Sequence, residues 1–569
     1  MSAPAQKRPP VKVAYFSMEM MLKTHIPTYA GGLGVLAGDL LRSCADLEIP
    51  AVGISLVYNG KAFKQFFNPD GTQNFVEIDW RKNDQFTKMP QQIVLKIDNQ
   101  DVVVGCWRYD IVGFSEFVVP VYLLDTDLFI NDPWKRHITE NLYGGEYSAR
   151  LCQEIVLGIG GIKMLRALGY DDVETYHMNE GHSTLASLEL LKENNYKDED
   201  VIKQCVFTTH TPLPEGHDTF DYETAYRFAG AYLPLHIKKL AGEDRLNMTQ
   251  LGLTMSKYSF GVSRKHGQVS QAMFPSHTIH FITNGIHHRT WTSSTMQDLY
   301  NEYLPGWIDD PAILKKAIAI PDDKLWRAHQ EAKEVLINFV NRHLTSAMTF
   351  EGKIQPKPEE LFDVNTLTVS LARRPVPYKR PPLIYKDLPR LVRISAGRIQ
   401  FIQSGKSHID DPASQEIVRQ ILEFSKKLRG IVRIVYLENY SPTIARMLVS
   451  GTDVWVNTPI RPQEASGTSG MKAAMNGGLN FSVLDGWWVE GYEMNPQAGF
   501  AIGPYQDSIT PVNNDDTDSN DFYETLEKQI VPLYYDNRTA WIDRMKQAIT
   551  LGAFFNTHRA LSEYMDKAW

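Results

Sequence analysis

The segment Glu464-Ala465-Ser466-Gly467-Thr468-Ser469-Gly470-Met471-Lys472 leads into Ala473-Ala474-Met475-Asn476-Gly477-Gly478. It combines a loop of small residues, hydroxyls at a helix start and one lysine in the first turns. Backbone amides and hydroxyls there suit a phosphate, and a lysine amine condenses with an aldehyde. A ligand carrying both groups is pyridoxal phosphate. A lysine near a helix start is also an ordinary surface lysine, so the residues alone leave both readings open. A second segment, Arg373-Arg374-Pro375-Val376-Pro377-Tyr378-Lys379-Arg380, places four cations within eight residues. It reads either as a solvated turn or, directly after an apolar strand, as a clamp for a polyanion. Gly405-Lys406-Ser407-His408 adds another cation after the next strand.

Three polar clusters follow strands in the first half: His177 to His182, Thr208 to His217, and Asn284 to Arg289. Single histidines are usually structural, and no HExxH or similar spacing fixes a zinc ligand set, so no metal is expected. Asn, Thr, Glu and His together at strand ends suit the hydroxyls of a sugar. Nearer the N-terminus, Gly31-Gly32-Leu33-Gly34 opens a helix, where free amides attract an anion. Gly32 to Ala37 also matches GxGxxA, but a dinucleotide site needs an acidic residue about 20 positions on, and none lies between Glu48 and Asp70. An anion-facing loop is favoured over NAD binding, with a tight turn as the remaining alternative.

Strands must position these motifs. Apolar runs at Val11–Phe16, Ala51–Tyr58, Glu174–His177, Gln204–Thr208 and Thr278–Thr283 predict a first series, with Val35–Leu47 as an amphipathic helix. Leu367–Ala372, Ile399–Ser404, Ile431–Leu437, Asp453–Asn457 and Leu479–Ser482 predict a second series, with helices over Pro412–Leu428 and Thr443–Ser450. Between the two, Asp309–Leu344 is helical, with Leu325, Ala328, Ala332, Val335, Leu336 and Phe339 as its apolar face. The alternation indicates an α/β protein of two doubly wound halves with ligands at the carboxyl ends of the strands, in a cleft.

The net charge of −8, from 59 basic and 67 acidic residues, argues against a general nucleic-acid or acidic-membrane binder. Cys44, Cys106, Cys152 and Cys205 form no CxxC pair, which predicts reduced thiols and a cytoplasmic setting. The first ten residues read as a short leader without a signal peptide's apolar stretch, and no apolar run is long enough to span a membrane.

The motifs resemble those of the glucan phosphorylase family. The match covers Gly31 to Gly34, Asn179 to His182, His210-Thr211, Asn284-Gly285, Tyr378-Lys379-Arg380, Leu437-Glu438-Asn439-Tyr440 and the segment around Lys472, in the family's order. The resemblance implies the GT-B fold, two Rossmann-like lobes, here over residues 1–285 and 286–539, with 540–569 packing back on the first lobe. It implies phosphorolysis of terminal α-1,4-glucosyl units of glycogen, starch or maltodextrin to glucose 1-phosphate, with retention, by a hexosyltransferase that uses pyridoxal phosphate. The partners implied are α-1,4-glucan and inorganic phosphate, in a chain that could form a homo-oligomer. Lys472, Arg374, Lys379 and His210 are the catalytic residues so implied. Lys472, Thr468, Tyr440, Gly31, Gly32, Arg373 and Trp291 would hold the cofactor. Leu33, Glu180, His182, His210, Asn284, Tyr378, Glu464, Ser466 and Gly467 would bind the glucan.

The sequence departs from the large animal and plant enzymes. It begins almost at the first strand, without a phosphorylation segment of the animal type. Ser441 stands where those enzymes place a basic residue, and Val376 replaces a histidine. Its length and Asp485-Gly486-Trp487-Trp488 look more like the shorter microbial branch. Nucleotide-sugar synthases, the competing class, resemble one another in Glu-x7-Glu, whereas Lys472 stands eight residues after Glu464. A non-catalytic glucan-binding relative would be expected to lose such cations, and Arg374, Lys379 and Lys472 are present.

Overall fold

The computed structural model describes residues 10–569 apart from 61, 69, 70, 79, 81, 146, 347, 350, 351, 354 and 355. All but the last residue of the expected leader lies outside that set. The chain forms two compact units: Met1–Ala62, Asp79–Thr283 and Thr557–Trp569 make one, and Phe63–Ile78 with Asn284–Asn556 make the other. The sequence reading left residues 63–78 in the first lobe and treated 540–569 as one segment. The hairpin of Ala62–Phe67 and Gln73–Ile78 instead belongs with unit 2. Its residues Gln65 and Phe67 donate backbone N–H bonds to Asn439 Oδ1 (2.5 Å) and Glu438 Oε1 (2.7 Å) of that unit.

In unit 1, β1 (Val11–Ser17), α1 (Gly32–Asp46) and β2 (Ala51–Leu56) match the first predicted elements closely. Then come β3 (Gln100–Val112), β4 (Val118–Asp125), α2 (Tyr147–Ile155), a π-helical turn Val156–Gly160, α3 (Gly161–Ala167), β5 (Val173–Asn179), β6 (Cys205–Thr208), β7 (Tyr258–Gly261) and β8 (His280–Phe281). The sheet runs β8-β7-β6-β5-β1-β2-β4-β3, with the short strands Thr87–Lys88 and Ile93–Ile97 also pairing with β3; it is parallel from β8 to β4, and β3 is antiparallel to β4 and to both short strands. Alternation sends Ala14 and Phe16 of β1 into one core and Val13 and Tyr15 into the other, so both faces are covered. The first core takes the apolar faces of α2 and α3; the second takes α1 and Leu561 and Tyr564 from the C-terminal helix.

Unit 2 contains α4 (Asp322–Ser346), β9 (Leu367–Ala372), β10 (Ile399–Ser404), α5 (Pro412–Lys427), β11 (Arg433–Leu437), α6 (Pro442–Gly451), β12 (Val454–Asn457), α7 (Ser469–Ala474), β13 (Leu479–Val483), α8 (Trp487–Met494), β14 (Gly499–Ile502) and α9 (Arg538–Leu551). Its sheet is wholly parallel in the order β11-β10-β9-β12-β13-β14. Leu336, Ile337 and Val340 of α4 pack with Ile402, Val435 and Leu448. Within the face predicted for this helix, Val335 points outward and is 54% exposed. No helix among the described residues is long and apolar enough to cross a membrane.

The C-terminal helix α10 (Thr557–Lys567) closes the second core of unit 1. Trp569 Nε1 donates to His177 Nδ1 (2.9 Å), and His177 Nε2 meets Thr208 Oγ1 at 2.8 Å. His177, read from the sequence as part of a polar cluster, is therefore a core residue. Burial drives its pKa down to about 3, and burial likewise lowers that of His266 to about 4. Both are neutral in the fold and take up protons on unfolding. Their stabilisation is present above pH 6.5, the ordinary value, and is lost as the pH falls through 4 toward 3. Each is expected to cost about 3 kcal/mol in acid. Urea midpoints measured from pH 7 to 4 should fall steadily, and a flat profile would contradict two buried neutral histidines.

Candidate functional site

In unit 2 the loop between β12 and α7 carries the segment that ends in Lys472. Gly467 adopts φ +79°, a region open chiefly to glycine, and Trp487 N donates to Ser466 O at 2.9 Å, fixing the loop to the start of α8. Lys472 is only 7% exposed, which removes the surface-lysine reading. Its Nζ lies 3.7 Å from the centre of the Trp291 ring. Asn476 ties the two together: its Nδ2 donates to Trp291 O (2.8 Å) and Lys472 O (2.9 Å), while its Oδ1 accepts from Ser293 N. Thr468 sits at the N-cap of α7 without a side-chain cap bond, and Ser466 Oγ is buried without a hydrogen-bond partner among the described residues.

The cation cluster after β9 divides in three. Arg373 is nearly buried and its Nη2 donates to Glu464 Oε2, while Nε and Nη1 are buried with no partner among the described residues. Two unmet guanidinium donors in the interior are costly unless a ligand accepts them. Arg374 is more exposed, with Nη2 3.7 Å from Asp411 Oδ2. Arg380 turns into the protein, donating to the carbonyls of Thr458 and Pro459 and to Asp515 and Asp518. The expectation that all four cations form a clamp is thus corrected: Arg380 spends its donors inside the fold. Lys406 likewise donates to Phe63 O.

Electrostatics join these groups. Burial, with repulsion from Arg373 and Arg374, lowers Lys379 to about 8, against the pull of Glu464. Burial works to raise Glu464, but Arg373 and Lys379 outweigh it and hold the carboxyl below its usual range. Asp485 accepts from Glu464 N (2.8 Å) and Gly486 N (2.9 Å), and burial still pushes it up to about 7. Burial also raises Tyr378 and Tyr440, the latter to about 12. Lys379 Nζ lies 5.4 Å from the Tyr378 ring. Asn284 is buried at the start of unit 2, beside Gly285, where a Cβ would strike the backbone of Asn556 at 2.2 Å. Ser441 caps α6 through a bond from Ile444 N.

Unit 1 gathers a second set. Ala30 N and Gly31 N donate to Glu19 Oε2 at 2.7 and 2.9 Å, so two amides of the glycine loop are already satisfied by a buried carboxylate. A Cβ at Gly31 or Gly32 would meet nothing within 4 Å, and that side of the loop, next to Leu33, stands open. Glu180, at φ +71°, accepts from Gly181 N (2.9 Å), His210 N (2.7 Å) and Thr211 Oγ1 (3.0 Å). Burial alone would raise its pKa, but His210, His217, His182 and the Gly181 bond hold it down. His210 Nε2 lies 2.7 Å from Asn179 Oδ1, and burial lowers its pKa to about 4. His182 Nε2 lies 3.2 Å from Arg150 Nη2.

The sequence reading missed Glu19, Arg150, Asp218 and Asn476. Glu19 and Arg150 carry no local pattern, because each acts on residues over a hundred positions away or in another element. Asp218 adjoins His217 and could have been read with that cluster.

A family model described as carbohydrate phosphorylase matches residues 231–531. Over 98% of this chain, a maltodextrin phosphorylase of Thermococcus litoralis is 37% identical, with 70% of that protein covered. The chain belongs to the carbohydrate phosphorylase family. A glycogen phosphorylase of Aquifex aeolicus is 35% identical across 98% of this chain and 85% of its own length. One from Mycobacterium tuberculosis is 33% identical, with 98% and 70% covered. The two buried constellations just described are the parts of this phosphorylase chain best equipped for polyanions and sugar hydroxyls.

Proposed function

We propose that this phosphorylase cleaves terminal α-1,4-linked glucosyl units of glycogen, starch or maltodextrin with inorganic phosphate, giving glucose 1-phosphate with retention. It would act in the cytoplasm, on a GT-B scaffold and with pyridoxal phosphate. The observation that carries the reading is Arg373, a buried guanidinium with two unmet donors beside Lys379, in the same unit as the buried Lys472. The names of the relatives support it.

These residues fit the cofactor. Within unit 2, Lys472 would hold it, with Trp291, Thr468, Tyr440 and Arg373 as the surrounding groups. When bound, it would supply a second phosphate as a proton-exchanging partner for the substrate phosphate. The chain's own work is to make two dianions tolerable at close range, which needs fixed cations. Arg373, Arg374 and Lys379 provide them, and Arg's planar fork suits phosphate oxygens. Inorganic phosphate, so held, gives a proton to the glycosidic oxygen as that bond breaks. One of its oxygens then bonds to the anomeric carbon on the face just vacated, which retains configuration. In unit 2, Asn284, Tyr378, Glu464, Ser466 and Gly467 offer groups that would orient a glucosyl unit; in unit 1, Leu33, Glu180, His182 and His210 offer groups for glucan hydroxyls.

The test is phosphate-dependent release of glucose 1-phosphate from maltodextrin. The phosphate kcat/KM should decline on the alkaline side with a midpoint near pH 8, as Lys379 loses its proton. Transfer from a nucleotide sugar without phosphorolysis would overturn the reading.

A further inference from the structure

We propose that Arg150 is a positioning residue that holds His182 in the tautomer with its proton on Nδ1, so that the ring offers the sugar a donor. This rests on the phosphorylase reading above. Arg150 lies on α2, and its Nη2 is 3.2 Å from His182 Nε2. A guanidinium has five donors, no acceptor and no accessible neutral form. The contact is therefore a hydrogen bond only if Nε2 presents its lone pair. The ring proton then sits on Nδ1, which is buried and has no partner among the described residues. A buried donor with no acceptor among the described residues is one kept for a ligand oxygen.

The guanidinium is fixed on every side. Its Cζ lies over the Tyr143 ring, 4.2 Å from the ring centre, and the Tyr143 hydroxyl donates to Glu19 Oε1 at 2.7 Å. Arg150 Nε donates to Asp218 Oδ2 at 3.2 Å, and Glu154 Oε1 stands 3.6 Å away, one helical turn on. Glu154 is wholly buried and faces the Asp218 carboxylate as well as Arg150. Burial and the charge of Asp218 push its pKa far up, so it is a neutral acid. Asp218 is the foremost counter-charge of Arg150.

The competing arrangement puts the proton on Nε2, pointing at Asp218 Oδ2 at 3.3 Å. It would set the Nε2 proton against an Arg150 donor that cannot turn away, since Asp218 and Tyr143 hold it. The Nδ1 nitrogen would then be an acceptor.

The two differ in ring 15N shifts, read on histidine-labelled protein and assigned by loss of the signal in His182→Asn. The expected result is a protonated Nδ1 and an unprotonated Nε2; the reverse overturns the proposal. Arg150→Met should release the ring to bond Asp218 through Nε2, reverse the shifts, and lower kcat/KM for maltodextrin about tenfold. Arg150→Lys, whose ammonium also only donates, should restore the parent shifts and most of the activity. His182→Asn, with an amide nitrogen near the place of Nδ1, should retain more activity than His182→Ala. Equal losses in the two His182 variants count against the donor role. A parent protein without phosphorolysis sinks the functional reading, whereas the shifts decide the tautomer in either case.

Discussion

Lys472→Ala is expected to yield a folded protein that retains no pyridoxal phosphate and phosphorolyses maltodextrin at less than about a thousandth of the parent rate. The expectation follows from where the amine sits. It is buried on a short helix, pressed to the Trp291 ring, with its backbone carbonyl held by Asn476. Truncation removes one cation–π contact, worth about 2 kcal/mol when desolvated, too little to unfold a chain of this size. Lys472→Arg separates charge from chemistry. It keeps a cation over Trp291 but has no amine to condense with an aldehyde, and it should be as inactive as the alanine variant. Absorption spectra before and after borohydride treatment, with thermal midpoints and a glucose 1-phosphate assay, check all three points. Normal activity in a cofactor-free Lys472→Ala protein would refute the assignment.

Arg373→Met should lower kcat by about a hundredfold to a thousandfold and raise the KM for phosphate. It removes the two unmet donors and also leaves Glu464 buried without its main counter-charge. Breaking such a pair from one side costs about 3–5 kcal/mol, so the thermal midpoint should fall as well. Adding Glu464→Gln should recover much of the stability, because no orphaned carboxylate remains, while activity stays low. Arg373→Lys should not rescue either property, since an ammonium lacks the planar fork. Parallel recovery of stability and activity in the double variant would mean that Arg373 serves only the fold.

Much of the parallel sheet was legible because its strands are unbroken apolar runs. Leu367–Ala372 and Ile399–Ser404 were read to the residue, since both faces of those strands are buried and apolar residues dominate them despite Gln400 and Gln403. The pair β3/β4 went unread: Arg108 and Asp110 interrupt the apolar signal of β3, Pro120 stands within β4, and the pairing is recognisable only once the partner strand is known. The helices α2 and α3 were likewise missed, since Leu151 to Leu165 is buried nearly all round and has no polar face to set a period. Among candidate site residues, Lys472, Arg373 and Glu180 were visible as types in context. Whether a given cation faces a ligand was not. Arg380 and Arg373 stand in one run, and only distant acceptors, the carbonyls of Thr458 and Pro459 and the carboxylates of Asp515 and Asp518, decide that Arg380 is structural. Glu19 was invisible for the same reason, as its partners lie on a loop that must first fold around it.

The helix α10 has a consequence for how such a chain is made. Val206, Phe260 and Tyr15 share their core with Leu561 and Tyr564, so the first strand synthesised waits for residues 557–569 before that core is complete. Unit 2, by contrast, can close before then, once Asn556 has emerged. Unit 1, which holds β1, is therefore completed only after unit 2 has all its residues. A nascent chain stalled anywhere between the two leaves an apolar face of its earliest sheet open to water, and to whatever binds such faces.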